Sequence, residues 1–322
     1  MNAWDQFIGW LQSLFQPTKR EEPAAALAPH VLLIIFDPVI ASAGGRKLSQ
    51  VLGWGKVDEL CRQCIADLHE CSNGIVAFHI VQQITVDAWP VKEDGFRYDG
   101  ETYLRNWRNR SGWHEPDRAD YEAILAEFDL LKRVNTGQID EVWLFGFPFA
   151  GFFESRMVGP DAVWCNAPPM VRTDVDRRFV IMGFNYERGV GEMLENFGHR
   201  AESHLKYVWR NIQSEENLWE RFILYDKIAP GKAQCGWMHY APNSIKDYDW
   251  GNRTKVLSGC DDWLYFPDFR GRVRKVDCFE WGGGEIRAHH TWWFKHLPKA
   301  LGQTHGIINN WWWYAIDPNA VH

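Results

Sequence analysis

Val31-Leu32-Leu33-Ile34-Ile35-Phe36 is an unbroken apolar run that stops at Asp37-Pro38. So short a run, with no polar residue to mark a wet face, reads as a strand buried on both sides and ended by a turn. Working outward, the spacing predicts a helix over Val57 to Glu70, broken by Ser72-Asn73-Gly74, and a second strand over Ile75 to Val86. The stretch from there through Trp113 reads as irregular, with turns at Asp94-Gly95 and Asp99-Gly100. A helix is expected over Asp117 to Val134, behind Pro116 and ahead of Asn135-Thr136-Gly137. Glu141 to Phe145 and Arg178 to Gly183 read as the third and fourth strands. A long helix from about Gly189 to Arg210 follows, then a helix over Glu215 to Tyr225 and a fifth strand over Gln234 to Tyr240.

This alternation predicts an α/β fold: a mostly parallel or mixed sheet with helices on both faces. Residues 31–322 are expected to form a single domain whose irregular, Trp-rich C-terminal region, from about residue 241, packs on the sheet. Residues 1–30 read as an amphipathic leader and linker. Trp4, Phe7, Ile8, Leu11 and Phe15 share a helical face, and a segment rich in Lys, Glu, Pro and Ala follows. The leader has no basic start or small-residue cleavage site, so it is expected to dock on the body or a partner rather than to direct secretion, and a cytoplasmic setting is favoured.

Composition narrows the function classes. The 322 residues carry a net charge of −7 with both signs interspersed, which argues against a nucleic-acid partner. No apolar run approaches the ~20 residues of a membrane span. Gly-x-Ser-x-Gly, P-loop and Gly-x-Gly-x-x-Gly patterns are absent, which removes serine hydrolases of that type, NTPases and Rossmann dehydrogenases. Of the seven cysteines, Cys61, Cys64 and Cys71 fall on one helix and read as core, while Cys260 and Cys278 are a potential bridge.

In open α/β sheets ligands bind beyond the carboxyl ends of the strands. Polar clusters follow the expected strands at Gly146 to Arg156, at Asn185-Tyr186-Glu187 and at His239 to Asn243. The helix after the fourth strand is the most informative element. At about 100° per residue, Arg188, Glu192, Glu195, His199, Glu202 and Lys206 form one stripe, opposite Met193, Leu194, Phe197, Ala201, Leu205 and Val208. A solvated face with Glu195–His199 and Glu202–Lys206 pairs explains the stripe, and so does a catalytic centre. Gly189, Gly191 and Gly198 tilt toward the second reading, because glycine in a helix costs up to ~1 kcal/mol and points to close packing or ligand approach.

His199, Glu202 and His239 are therefore the expected ligands of a divalent metal, zinc favoured. Glu192, Glu195 and Glu187 are the candidate catalytic carboxylates, with Glu195 or Glu192 as base. Glu154, Arg156, Asn185, Arg188 and Asn243 are candidate substrate contacts. The His199-x-x-Glu202 spacing is similar to that of zinc carboxypeptidases, which add a distant histidine. The neighbouring arginines and late glutamate of their pattern have no counterpart here.

Tryptophan is as abundant as phenylalanine, 19 residues each. Trp292, Trp293 and Trp311 are expected to wall the cleft, stacking on a ligand. Three readings follow: a metal-assisted hydrolase of a peptide or glycan-type substrate; a carbohydrate-active or carbohydrate-binding protein using Trp stacking and paired carboxylates; and a non-catalytic binding or structural protein.

Overall fold

The computed structural model describes residues 26–322. The expected leader and most of the linker lie outside the described residues. Leu27 already bridges to Val76, and β1 (His30–Phe36) follows. Next come α1 (Val57–Cys71), β2 (His79–Val86), and two short helices, α2 (Tyr121–Glu127) and α3 (Leu130–Asn135). β3 (Glu141–Gly146), β4 (Ser155–Gly159), β5 (Met170–Val171) and β6 (Phe179–Asn185) complete the main sheet. Three helices matter afterwards: α4 (Val190–Val208), α5 (Ile286–His296) and α6 (Trp312–Ile316).

The sheet has the order β2-β1-β3-β6-β4-β5. Its first four strands are parallel, β4 runs antiparallel to β6, and β5 is parallel to β4. This is the mostly parallel α/β sheet the alternation implies. The chain steps outward from β1 to β2, then returns past β1 to β3. Right-handed crossovers put the connecting helices of two such opposite steps on opposite faces. α1 packs beside α4 and α5. β3 is buried along its whole length and β1 from Val31 onward, as continuous apolar runs require.

Several elements differ from expectation. The helix expected over Asp117 to Val134 is two, because Phe128 turns in against Phe36 and Asp129 takes a left-handed conformation (φ 52°). The stretch before Trp113 holds a helix over Gly100–Asn109, whose first turn is capped by the Asp99 carboxylate. Gln234 to Tyr240 is no strand: Gly236 has φ 76°, and Trp237 and Tyr240 exchange backbone hydrogen bonds of 2.8 and 3.2 Å. Its apolar residues are buried in a turn, which has no strand period to betray it.

The C-terminal aromatics are core. Trp293, Trp311 and Trp312 are fully buried, and Trp292 is 9 % exposed. Trp311 meets Trp209, Trp219, Trp263, Phe222 and Phe266 at ring distances of 5.6–6.1 Å, and the Trp293 indole donates to the Gly236 carbonyl. Trp292, Trp293 and Trp311 therefore wall no cleft, contrary to expectation. They join the late elements to α4 and the loops beneath. All seven cysteines are buried free thiols, so Cys260 and Cys278 form no bridge. No helix among the described residues is long and apolar enough to cross a membrane.

Candidate metal centre

α4 begins directly after β6, so its first turns stand over the carboxyl end of the sheet. Its apolar side, from Met193 to Val208, is buried, while the polar stripe grades from exposed Arg188 through Glu195 and His199 to exposed Lys206. The two interior glycines explain what reaches that stripe. A Cβ on Gly198 would lie 2.0 Å from the Met238 sulfur, and one on Gly191 would lie 2.4 Å from Ile286 Cγ2. Gly198 thus admits the turn that carries His239, and Gly191 admits the start of α5, which carries His290.

Three donor atoms converge there. His199 Nε2 lies 3.0 Å from His239 Nε2, Glu195 Oε1 lies 2.8 Å from His239 Nε2, and the same oxygen lies 3.6 Å from His199 Nε2. The ring centroids of the two histidines are 4.7 Å apart. Two imidazole nitrogens and one carboxylate oxygen thus face a common point, each on a half-buried or buried residue.

The expected ligand Glu202 is placed otherwise. His199 donates from Nδ1 to Glu202 Oε2 at 2.8 Å, and the Met238 amide donates to Glu202 Oε1 at 2.8 Å. Both oxygens are committed, so Glu202 orients His199 and anchors the His239 turn instead of joining the donor set. Carboxylates that fix a ligating imidazole in this way are the usual outer partners of metal centres. Glu195, expected as a base, supplies the third donor. The Trp250 indole donates to the Met238 carbonyl at 2.9 Å, which ties the turn from its other side.

Burial would raise the Glu195 carboxyl, but the imidazoles of His199, His239 and His290 around it outweigh burial and hold the group far below its usual range. Burial would likewise lower His199, yet Glu195 and Glu202 prevail and carry it up to about 10. The cluster therefore keeps a proton among its nitrogens.

Glu154, at the start of β4, is raised chiefly by burial and accepts a hydrogen bond from the Asn166 side chain. It shares a cavity of about 800 Å³ with Glu195, Asn185, Arg188, Glu192 and Tyr248. Tyr248 lies against the His239 ring, with centroids 4.3 Å apart. His290 is fully buried; its Nε2 has no hydrogen-bond partner and points at Glu195 Oε2 from 3.7 Å, while its Nδ1 faces His289 Nδ1 at 3.0 Å.

Other expected site residues have different duties. Glu192 accepts the Gly189 amide at 3.0 Å and so caps α4, though it also lines the cavity. Glu187 pairs with Arg188 at 3.1 Å and does not line the cavity. Arg156 donates to the Pro168 carbonyl and lines a separate pocket, because it follows buried Ser155 and alternation turns it away. Asn243 is buried and donates to the Asn252 and Thr254 carbonyls, pinning a loop. Asn166, Tyr248 and His290 were not singled out as site residues; their sequence surroundings carry no signal for it beyond the His289-His290 pair.

Cys260, Asp261 and His296 also bring three donor atoms within 4.8 Å of one another. Arg274 grips Asp261 there with bonds of 2.5 and 2.9 Å, and burial pushes the Cys260 thiol up to about 12, so the trio already holds its cation and an inert thiol. No known protein family, curated protein or solved structure matches this chain.

Proposed function

We propose that this chain is a metal-dependent hydrolase whose cation is held by Glu195, His199 and His239, with zinc the favoured metal. One observation carries the reading: the three donor atoms are separated by 2.8, 3.0 and 3.6 Å. Ligands bonded at ~2.0–2.1 Å around a tetrahedral cation stand ~3.3 Å apart, so the donors lie at metal-ligand spacing with little adjustment. Three protein ligands leave a fourth position open, the pattern of catalytic rather than structural zinc. The outer bond from Glu202 to His199 supports it further, because it leaves the Nε2 lone pair for the cation.

A cation held by Glu195, His199 and His239 would supply Lewis acidity and make a nearby water more acidic. Glu154, the nearby carboxyl raised by burial, would take the proton from the attacking water and return it to the leaving group. The water oxygen bonds to the carbonyl carbon, the scissile bond breaks, and the transferred proton leaves with the departing nitrogen or oxygen. The carbohydrate reading loses its stacking wall with the burial of Trp292, Trp293 and Trp311.

Elemental analysis of protein purified without chelator tests the reading. One equivalent of zinc or another transition metal is expected, lost in His199→Ala and His239→Ala. Metal-free protein with no affinity for added zinc ends it.

A further inference from the structure

Two of the cavities that meet at the centre differ in chemistry. The larger presents Glu154, Glu192 and Glu195, with Arg188 3.8 Å from Glu192 and with Asp117 already paired to Lys92 at 2.5 Å. The second, of about 470 Å³, contains Trp164, Trp237, Lys206 and Arg210 and shares His199 and Asn166 with the centre. Two residue pairs straddle the boundary: Glu195 with His199, 3.6 Å apart, and Glu154 with Asn166, which are hydrogen-bonded. A molecule at the metal position can extend into both.

The second cavity carries two features that the fold itself does not use. Trp164 is 57 % exposed, the only exposed tryptophan among the described residues. Lys206 has no ion-pair partner among the described residues, because Glu202, one turn before it, has both oxygens committed to His199 and Met238. Arg210 lies over the Tyr207 ring and donates to the Tyr207 carbonyl and to the main-chain oxygen of His322. Aromatic faces beside the unpaired Lys206 and the neighbouring Arg210 suit an apolar side chain followed by a carboxylate.

We propose that the substrate is a peptide lying across both cavities, its basic, amino-terminal part among the carboxylates and a carboxylate on Lys206 and Arg210. The seven residues from His199 to Lys206 rise by ~10 Å along α4, the length of about three extended residues. The carboxylate is therefore about three residues beyond the bond at the centre, with Trp164 and Trp237 flanking the side chain between. An acidic side chain and the chain terminus offer the same chemistry. A neutral glycan answers neither charge. The proposal rests on the hydrolase reading and adds the substrate class and its direction.

The test is equilibrium binding to full-length protein treated with chelator, at low salt, so that nothing is turned over. The probes are Lys-Lys-Ala-Phe-Gly as free acid, the same peptide as its amide, the amide with Asp replacing Gly, and chitotetraose. At least one carboxylate-bearing peptide should bind about five-fold tighter than the plain amide, and which one does so identifies terminus or side chain. Lys206→Ala/Arg210→Ala should erase that difference, as should high salt. Trp164→Ala should weaken all three peptides. These side chains are exposed or at the cavity rim, and an unchanged melting temperature shows that folding is intact. Equal binding by the three peptides, no binding, a difference that survives the double variant, or chitotetraose binding as tightly as any peptide overturns the proposal. Metal content is measured on the same preparation: a correct peptide ranking with no metal affinity sinks the hydrolase reading alone.

Discussion

Gly198→Ala tests whether close backbone approach builds the centre. The added methyl would lie 2.0 Å from the Met238 sulfur and 2.3 Å from its Cγ, where ordinary contact begins near 3.4 Å. Something must move by roughly 1.4 Å, and Met238 is fully buried, so its side chain has no free space to swing into. The Met238 backbone is attached on both sides, to Glu202 and to Trp250, and His239 is the next residue. Displacement of the turn therefore misplaces a ligand. Metal sites hold their distances to within ~0.2 Å, so we expect zinc affinity to fall about 10–100-fold. Stability should fall by about 0–2 kcal/mol. Alanine regains up to ~1 kcal/mol of helix propensity, against about 1–3 kcal/mol for overpacking. Calorimetric zinc titration and thermal melts read the two effects separately. Met238→Ala in the same chain removes the colliding atoms and should restore most of the affinity, even while its cavity costs stability. Parent-like zinc binding in Gly198→Ala, or no recovery in the double variant, would refute the reasoning.

Glu202→Gln should lower zinc affinity about 10–100-fold, whereas Glu195→Gln, which replaces a ligand, should lose more; the titrations rank them. His199 is carried from its ordinary 6.5 up to about 10, so its stabilising contribution to the chelated protein is full below pH 6.5 and lost as pH rises through 10. Because zinc must displace that proton, its affinity should rise over the same window, which melts and titrations from pH 6.5 to 10 can follow. His290→Phe should weaken zinc binding and shift the visible spectrum of the cobalt-substituted protein, with His290→Gln closer to the parent; identical spectra in all three would remove His290 from the centre. Trp311→Ala should cost about 3–5 kcal/mol in denaturant unfolding and leave zinc affinity of the folded fraction unchanged.

The sheet was legible because its strands are short apolar runs with turn residues after them, and Val31–Phe36 and Glu141–Phe145 differ little from the observed bounds. β4 and β5 were not, being short and placed in a loop-like stretch rich in Gly and Pro. The stripe on α4 was legible from helical periodicity, and the glycines correctly implied close approach. Which carboxylate did what was not legible. Glu195 and Glu202 lie four residues before and three residues after His199, and sequence spacing gives both an equal claim. The Met238 amide decided between them by taking one Glu202 oxygen. The tryptophans misled for a related reason: the indole that serves a surface and the one that serves a core have the same composition. Trp164, the exposed one, stands beside Cys165 in a stretch with no period at all.

Charge is the argument for a cation at the proposed centre. Glu154, Glu195 and Glu202 gather around His199 and His239, all wholly or partly buried. Removing several carboxylates from water costs several kcal/mol each unless positive charge comes with them. Among the described residues no arginine or lysine bonds to any of the three. The compensation in hand is one proton, which is why His199 is held charged so far above its ordinary value. That proton sits on a nitrogen whose second neighbour is another imidazole, 3.0 Å away, and so it serves two acceptors imperfectly. A divalent ion at the same point adds one more positive charge than the proton it replaces, satisfies both Nε2 lone pairs, and leaves the Glu202 bond intact. On the proposed reading, a cation completes the site that a proton only patches, and the cavity with Glu154 is its exposed flank.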